Sequence, residues 1–133
     1  MKRVLANIDL FRILKELDNK VHDENIGIVI GSQEIPERDI RQICANGWGE
    51  DNRLFLIIDD FNPDTLKTLI SCIKQKDFLY GVCFDCEVDY NTMIELSNAL
   101  DEVDVNCFVN KNKINEQVLT IPTIKAVDTF YDI

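Results

Sequence analysis

One pattern constrains this chain more than any other: a short apolar run, an acidic turn and an amphipathic stretch, recurring at a nearly fixed interval. Leu54, Leu56, Phe61, Leu66 and Leu69 set the template. Twenty-six residues earlier the same places hold Ile28, Ile30, Ile35, Ile40 and Ile43. Twenty-seven residues later they hold Gly81, Cys83, Val88, Met93 and Leu96, and 26 further on Cys107, Val109, Ile114, Leu119 and Pro122. Of these 20 positions only Gly81 and Pro122 are not apolar, where a chain that is 46% hydrophobic would place about nine apolar residues by chance. A fixed period of this length is the mark of stacked supersecondary units, each of which buries its apolar face only against its neighbours.

The intervening columns agree. Gln33, Asp59, Cys86 and Asn112 stand three residues past the second strand position, where a turning backbone needs hydrogen-bonding side chains. Pro36, Asn62, Asp89 and Asn115 follow the next apolar position. Asn and Asp there suit helix N-caps, because their side-chain oxygens accept from the free N–H groups of a first turn. Pro63 suits the first helical residue after Asn62. The pattern predicts strands at 26–30, 53–58, 79–84 and 105–109. It predicts helices at 36–45, 63–76 and 90–102, and a helical turn at 116–121. Residues 3–22 carry Val4, Ile8, Phe11, Leu14, Leu17 and Val21 at spacings of three and four, which predicts a helix capping the first unit. Residues 123–131 read as a final short helix or an extended tail.

The segments IVIGSQEI, LFLIIDDF, GVCFDCEV and CFVNKNKI resemble leucine-rich repeats, whose pattern is L-x-x-L-x-L-x-x-N/C-x-L followed in longer versions by a helix. The period is closest to the ribonuclease-inhibitor-like subclass, and the resemblance spans residues 26–126. Asn112 supplies the family's usual Asn and Cys86 its alternative, while Asn25, Asp51, Phe78 and Asp104 stand where the first Leu of the motif belongs. The resemblance implies an α/β solenoid with parallel strands and all helices on one side. The single domain of 1–133 would comprise a helical cap at 1–25, four strand–helix repeats at 26–126 and a tail at 127–133. A compact three-layer α/β domain with a parallel sheet is the alternative.

One flank of helices leaves the other face of the sheet bare. The repeat assigns Val29, Phe55, Val82 and Phe108 to that face, with Gly31, Ile57, Phe84 and Asn110 in the next row. Either the chain itself covers this apolar, partly aromatic stripe, through the N-terminal helix or the C-terminal tail, or the stripe is a contact surface. The second reading makes Val29, Phe55, Ile57, Val82, Phe84 and Phe108 a partner-binding surface, for another protein or a second copy of the chain. Glu34, Asp59, Asp60, Asp85 and Glu87 then line its acidic edge.

Charge limits the partners. The chain carries 24 acidic and 14 basic residues, a net charge of −10. Nucleic acids and anionic membranes are disfavoured, since phosphate contacts need Lys and Arg, and a basic protein partner suits the field. The five cysteines are an odd number, and no secretory segment is apparent, which predicts reduced thiols in the cytoplasm. A non-catalytic protein-binding module, an inhibitor or immunity protein among its concrete versions, is the reading these features favour, with no cofactor or metal.

Chemistry offers two alternatives. Asp59, Asp60 and Asp85 end neighbouring strands, where clustered carboxylates hold Mg²⁺ for phosphoryl transfer, and the set resembles the acidic pocket of receiver domains. The Lys that such domains carry on a later strand has only Lys111 as a substitute. Cys83-Phe84-Asp85-Cys86 with Ile121-Pro122-Thr123 downstream resembles thioredoxin-like proteins, whereas the repeat makes Cys83 a core residue and Cys86 a turn residue. A zinc site would need more than the lone His22 and one C-x-x-C, and His22 has no Ser or Cys at triad spacing.

Overall fold

The computed structural model describes residues 1–5, 25–30, 53–61, 79–130 and 133. Among the described residues six strands form one parallel sheet: β1 (Lys2–Leu5), β2 (Asn25–Ile30), β3 (Arg53–Ile58), β4 (Leu79–Phe84), β5 (Asn106–Asn110) and β6 (Ile124–Val127). Their order across the sheet is their order in the chain, so every strand pairs with its sequence neighbours. The fold class is α/β, as the repeat predicts. Helix α1 (Tyr90–Glu102) follows β4, and a 3₁₀ turn (Val118–Thr120) precedes β6. The helices expected at 36–45 and 63–76, and Glu34, His22, Cys44 and Cys72, lie outside the described residues.

Two strands correct the expected ends. Residues 3–5, expected to begin a capping helix, belong to β1, with Val4 opposite Ile28; the remainder of that expected helix lies outside the described residues. Residues 124–127, expected as helix or tail, form β6, with Cys107 opposite Ile124. Short apolar stretches such as Val4-Leu5 fit a strand or the start of a helix equally well, and pairing with a neighbour decides between them.

Strand residues pointing to one face pack with α1. Ile28, Leu56, Ile58, Val82, Phe84, Cys107 and Val109 join Met93, Leu96 and Leu100 of the helix, together with Val88, Ile114, Val118 and Ile121. α1 starts where Asp89 Oδ2 accepts from the Thr92 backbone N–H at 3.1 Å and its Oδ1 accepts from the Thr92 hydroxyl at 2.6 Å. These bonds hold the exposed Asp89 carboxyl below its ordinary pKa, the Thr92 side chain first. The helix ends in a Schellman arrangement: Val105 N–H donates to Leu100 O at 2.9 Å, Asp104 N–H to Asp101 O at 3.2 Å, and Asp104 takes a left-handed φ of 58°.

β4 contains an irregularity that decides which side chains face which way. Leu54 pairs with Leu79 but Phe55 pairs with Gly81, so Tyr80 is an extra residue and the strand bulges there. Leu56 therefore lies opposite Val82, and Ile57 opposite Cys83. The repeat implies an offset of 27 residues between β3 and β4, whereas the paired offset is 25 before the bulge and 26 beyond it, which turns each later side chain of β4 to the face opposite the expected one.

Candidate functional site

The face opposite α1 carries the cluster Val29, Phe55, Ile57, Cys83, Phe108 and Phe130, flanked by Met1, Tyr80, Val127 and Ile133. Of the six residues expected to line an open surface, Val29, Phe55, Ile57 and Phe108 are on this face. Val82 and Phe84 are not: the bulge turns them toward α1, and Cys83 and Gly81 replace them. The face is also not open. Phe55, Ile57 and Cys83 have no exposed surface, and Val29 and Phe108 are each 8% exposed. This corrects the reading of the stripe as a bare contact surface and favours the reading in which the chain covers it.

Phe130 supplies part of the cover. It follows β6, is fully buried, and packs within the same cluster, with half-buried Ile133 beside it. The sequence places this residue in the C-terminal tail, one of the two segments expected to cover the stripe if the chain itself does so. Its signal was an aromatic placed just after the last unit, and a lone aromatic near a chain end says nothing of where it docks.

The aromatic side chains are ordered across the strands. Tyr80 meets Phe55 edge-on at 5.2 Å between centroids, Phe108 is tilted against Phe55 at 5.9 Å, and the Lys125 ammonium stands 5.6 Å over the Phe108 ring. Lys125 Nζ also donates to Asn106 Oδ1 at 2.7 Å, and Asn106 Nδ2 donates to Tyr80 O at 3.0 Å. Polar groups thus close the lower rim of the apolar face.

The acidic edge assembles at the other end of the strands. Asp59 N–H donates to Ile30 O at 3.2 Å and Asp85 N–H to Ile58 O at 2.8 Å, so the ladder carries both residues just past the sheet. Asp85 is nearly enclosed: its Oδ1 accepts from Asn110 Nδ2 at 3.0 Å and lies 3.3 Å from Lys113 Nζ. Asp60 and Glu87 are exposed. Cys86 sits among these carboxylates. Burial pushes its thiol up to about 11, the Phe61 backbone N–H pulls it down, and the negative fields of Asp60, Asp59 and Asp85 add to the rise.

This geometry bears on the chemical alternatives. Among the described residues no three His, Cys, Asp or Glu side chains converge on a point that would hold a metal ion, and Asp85 is already engaged by Asn110 and Lys113. Cys83 belongs to the apolar cluster on one face, whereas Cys86 packs against the core on the other. Cys83, Cys86 and Cys107 are reduced thiols. A redox pair needs two sulfurs that can reach each other and a readily formed thiolate; opposite faces and a raised pKa supply neither.

A further cavity of about 400 Å³ opens between α1 and the start of β5 and β6, lined by Ser97, Asp101, Asp104, Asn106, Thr123 and Lys125. No described helix is long and apolar enough to cross a membrane. Compared with protein-family models, with curated proteins and with solved structures, the chain matches none.

Proposed function

We propose that this protein is a non-catalytic protein-binding module whose partner is basic, and that its units are divergent leucine-rich repeats of the ribonuclease-inhibitor-like kind. The repeat reading is supported by strands that follow chain order and by turn residues that tie neighbouring units together. Asn112 Nδ2 donates to Asp128 O at 3.3 Å, and the Phe61 N–H interacts with the Cys86 thiol.

The observation that carries the binding reading is the acidic edge. Asp59, Asp60, Asp85 and Glu87 gather at one end of the sheet of a chain with net charge −10, and their field is felt by the Cys86 thiol among them. Among the described residues Lys113 is the cation paired with this group. Such an edge attracts and orients a positively charged surface, with the strongest effect on association rate and on the choice of partner. A cytoplasmic inhibitor or immunity protein directed at a basic toxin or nuclease is a concrete form of this activity.

The test is affinity capture with the full chain and with a variant carrying Asp60→Lys and Glu87→Lys, two exposed positions whose reversal leaves the core intact. A basic partner retained by the wild type at low salt, released at about 0.5 M salt and lost from the variant supports the reading. A partner held equally by both chains, or one of acidic charge, overturns it.

A further inference from the structure

The cavity at the end of α1 is lined by charges of both signs that do not meet. Asp101 and Asp104 line it from the C-terminal end of the helix, and Lys125 lines it from the start of β6. Lys125 instead donates to the neutral Asn106 side chain at 2.7 Å and stands over the Phe108 ring, and neither carboxylate enters an ion pair among the described residues. The acids are also placed against the local field. A helix C-terminus carries partial negative charge and favours a cation, yet the last turn of α1 has no basic residue, Asp101 stands in it and Asp104 just beyond it. Thr123 is a second, independent observation. It lines the same cavity, and its Oγ1 is the one buried side-chain nitrogen or oxygen among the described residues without a protein hydrogen-bond partner. An enclosed hydroxyl in that state destabilises the fold and calls for a use.

We propose that this cavity binds a small zwitterion, an α-amino acid, whose ammonium group is held by Asp101 and Asp104 and whose carboxylate is held by Lys125 and the Thr123 hydroxyl. A plain anion would meet two carboxylates and a plain cation would meet Lys125; a molecule carrying both signs uses the whole lining. Carboxylates only accept hydrogen bonds, and an ammonium has three donors, of which Lys125 spends one on Asn106. The enclosed Thr123 hydroxyl reaches the ligand by a change of rotamer, and no hydrogen bond holds it back. A volume of about 400 Å³ is at the small end of ligand cavities, and Val105 and Pro122 supply its apolar lining. The site lies where β5 and β6 begin, whereas the acidic edge lies where β3 and β4 end, so it goes beyond the protein-binding reading and does not rest on it.

The test is an amide-resolved NMR titration of the full-length protein with an equimolar mixture of the twenty common amino acids, then with its members singly. Saturable shifts are expected at Asp101, Val105, Thr123 and Lys125, half-complete at or below about 1 mM, with Asp60 and Glu87 unmoved. Two derivatives of the active amino acid separate the charges. The N-acetyl form lacks the ammonium and the α-carboxamide lacks the carboxylate, and each is expected to bind about tenfold more weakly or worse. Lys125→Met should bind the amino acid and its carboxamide equally. Thr123→Val should weaken binding by about tenfold and leave the melting temperature unchanged or higher, since the hydroxyl it removes makes no bond within the protein. No saturable shift with any amino acid overturns the proposal. So does a carboxamide that binds the wild type as well as its parent, which would make the site a patch for any cation. A Thr123→Val protein that binds undiminished, or that melts lower, overturns the role given to the hydroxyl and the proposal with it.

Discussion

The rings of Phe55 and Phe108 touch across an intervening strand, their centroids 5.9 Å apart, because Gly81 stands between them without a side chain. A Cβ at Gly81 would lie 2.9 Å from Phe108 Cε2, 3.1 Å from Phe55 Cδ1 and 3.2 Å from Asn106 O. The two rings flank that point and the backbone oxygen cannot yield. Gly81→Ala is expected to destabilise the fold by about 1–3 kcal/mol, and Phe55→Ala by about 3–5 kcal/mol, measured by urea denaturation. A Gly81→Ala protein as stable as the wild type would mean that the rings are free to part.

Alkaline pH should weaken the fold through its buried thiols. Burial pushes Cys107 up to about 12 from an ordinary 9.0, and Cys86 to about 11. A raised pKa means that the folded chain holds its proton more tightly than the unfolded chain. The resulting stabilisation is whole below pH 9.0 and declines as pH rises through 9.0 toward those values. Cys107→Ala should start from a lower melting temperature at neutral pH and lose less of it on the way to pH 10.5, a flattening visible by calorimetry.

The field at the acidic edge can be read from Cys86 itself. Burial is the main cause of its raised pKa and survives mutation of a surface charge, whereas Asp60 is exposed and its contribution is removable. Asp60→Asn is expected to lower the Cys86 pKa and to speed its alkylation at pH 8 by about twofold, an effect that shrinks in high salt. Cys107, screened within the core, serves as the internal reference.

At the end of α1, Asp104 adopts the left-handed conformation that costs any side chain bearing a Cβ. Asp104→Gly keeps the Schellman hydrogen bonds and removes that strain. The expected gain is up to about 1 kcal/mol, offset in part by the greater freedom of glycine in the unfolded chain. Thermal denaturation decides the sign.

Much of the fold was legible in the chain. The strand at 53–58, the strand at 79–84 and the helix at 90–102 have the predicted bounds, and Asp89 caps that helix as its column implied. Strands β2 and β5 lie within a residue of expectation. Strand β1 was hidden because Val4 also fits the helical spacing of Ile8, Phe11 and Leu14. Strand β6 was hidden because Ile124-Lys125-Ala126-Val127 is too short to show a period. The candidate face was half legible. Val29, Phe55, Ile57 and Phe108 share it, but an inserted Tyr80 reverses every later residue of β4, and apolar residues on both sides of the strand left no polar partner to betray the reversal. Gly81 in an otherwise apolar column was the one visible clue. Coverage by Phe130 had no local signature, since docking of a chain end depends on shape at long range.

Because each strand of the described sheet hydrogen-bonds only to its predecessor and its successor, no ladder joins parts of the chain more than one module apart. The entropy of closing each loop is limited to about one module, and assembly can begin at any adjacent pair and zip outward. Damage is confined in the same way. A lesion in the last module should fray the C-terminal border first while β2, β3 and β4 hold together, so this architecture can gain or lose a whole module at its ends without redesigning its middle.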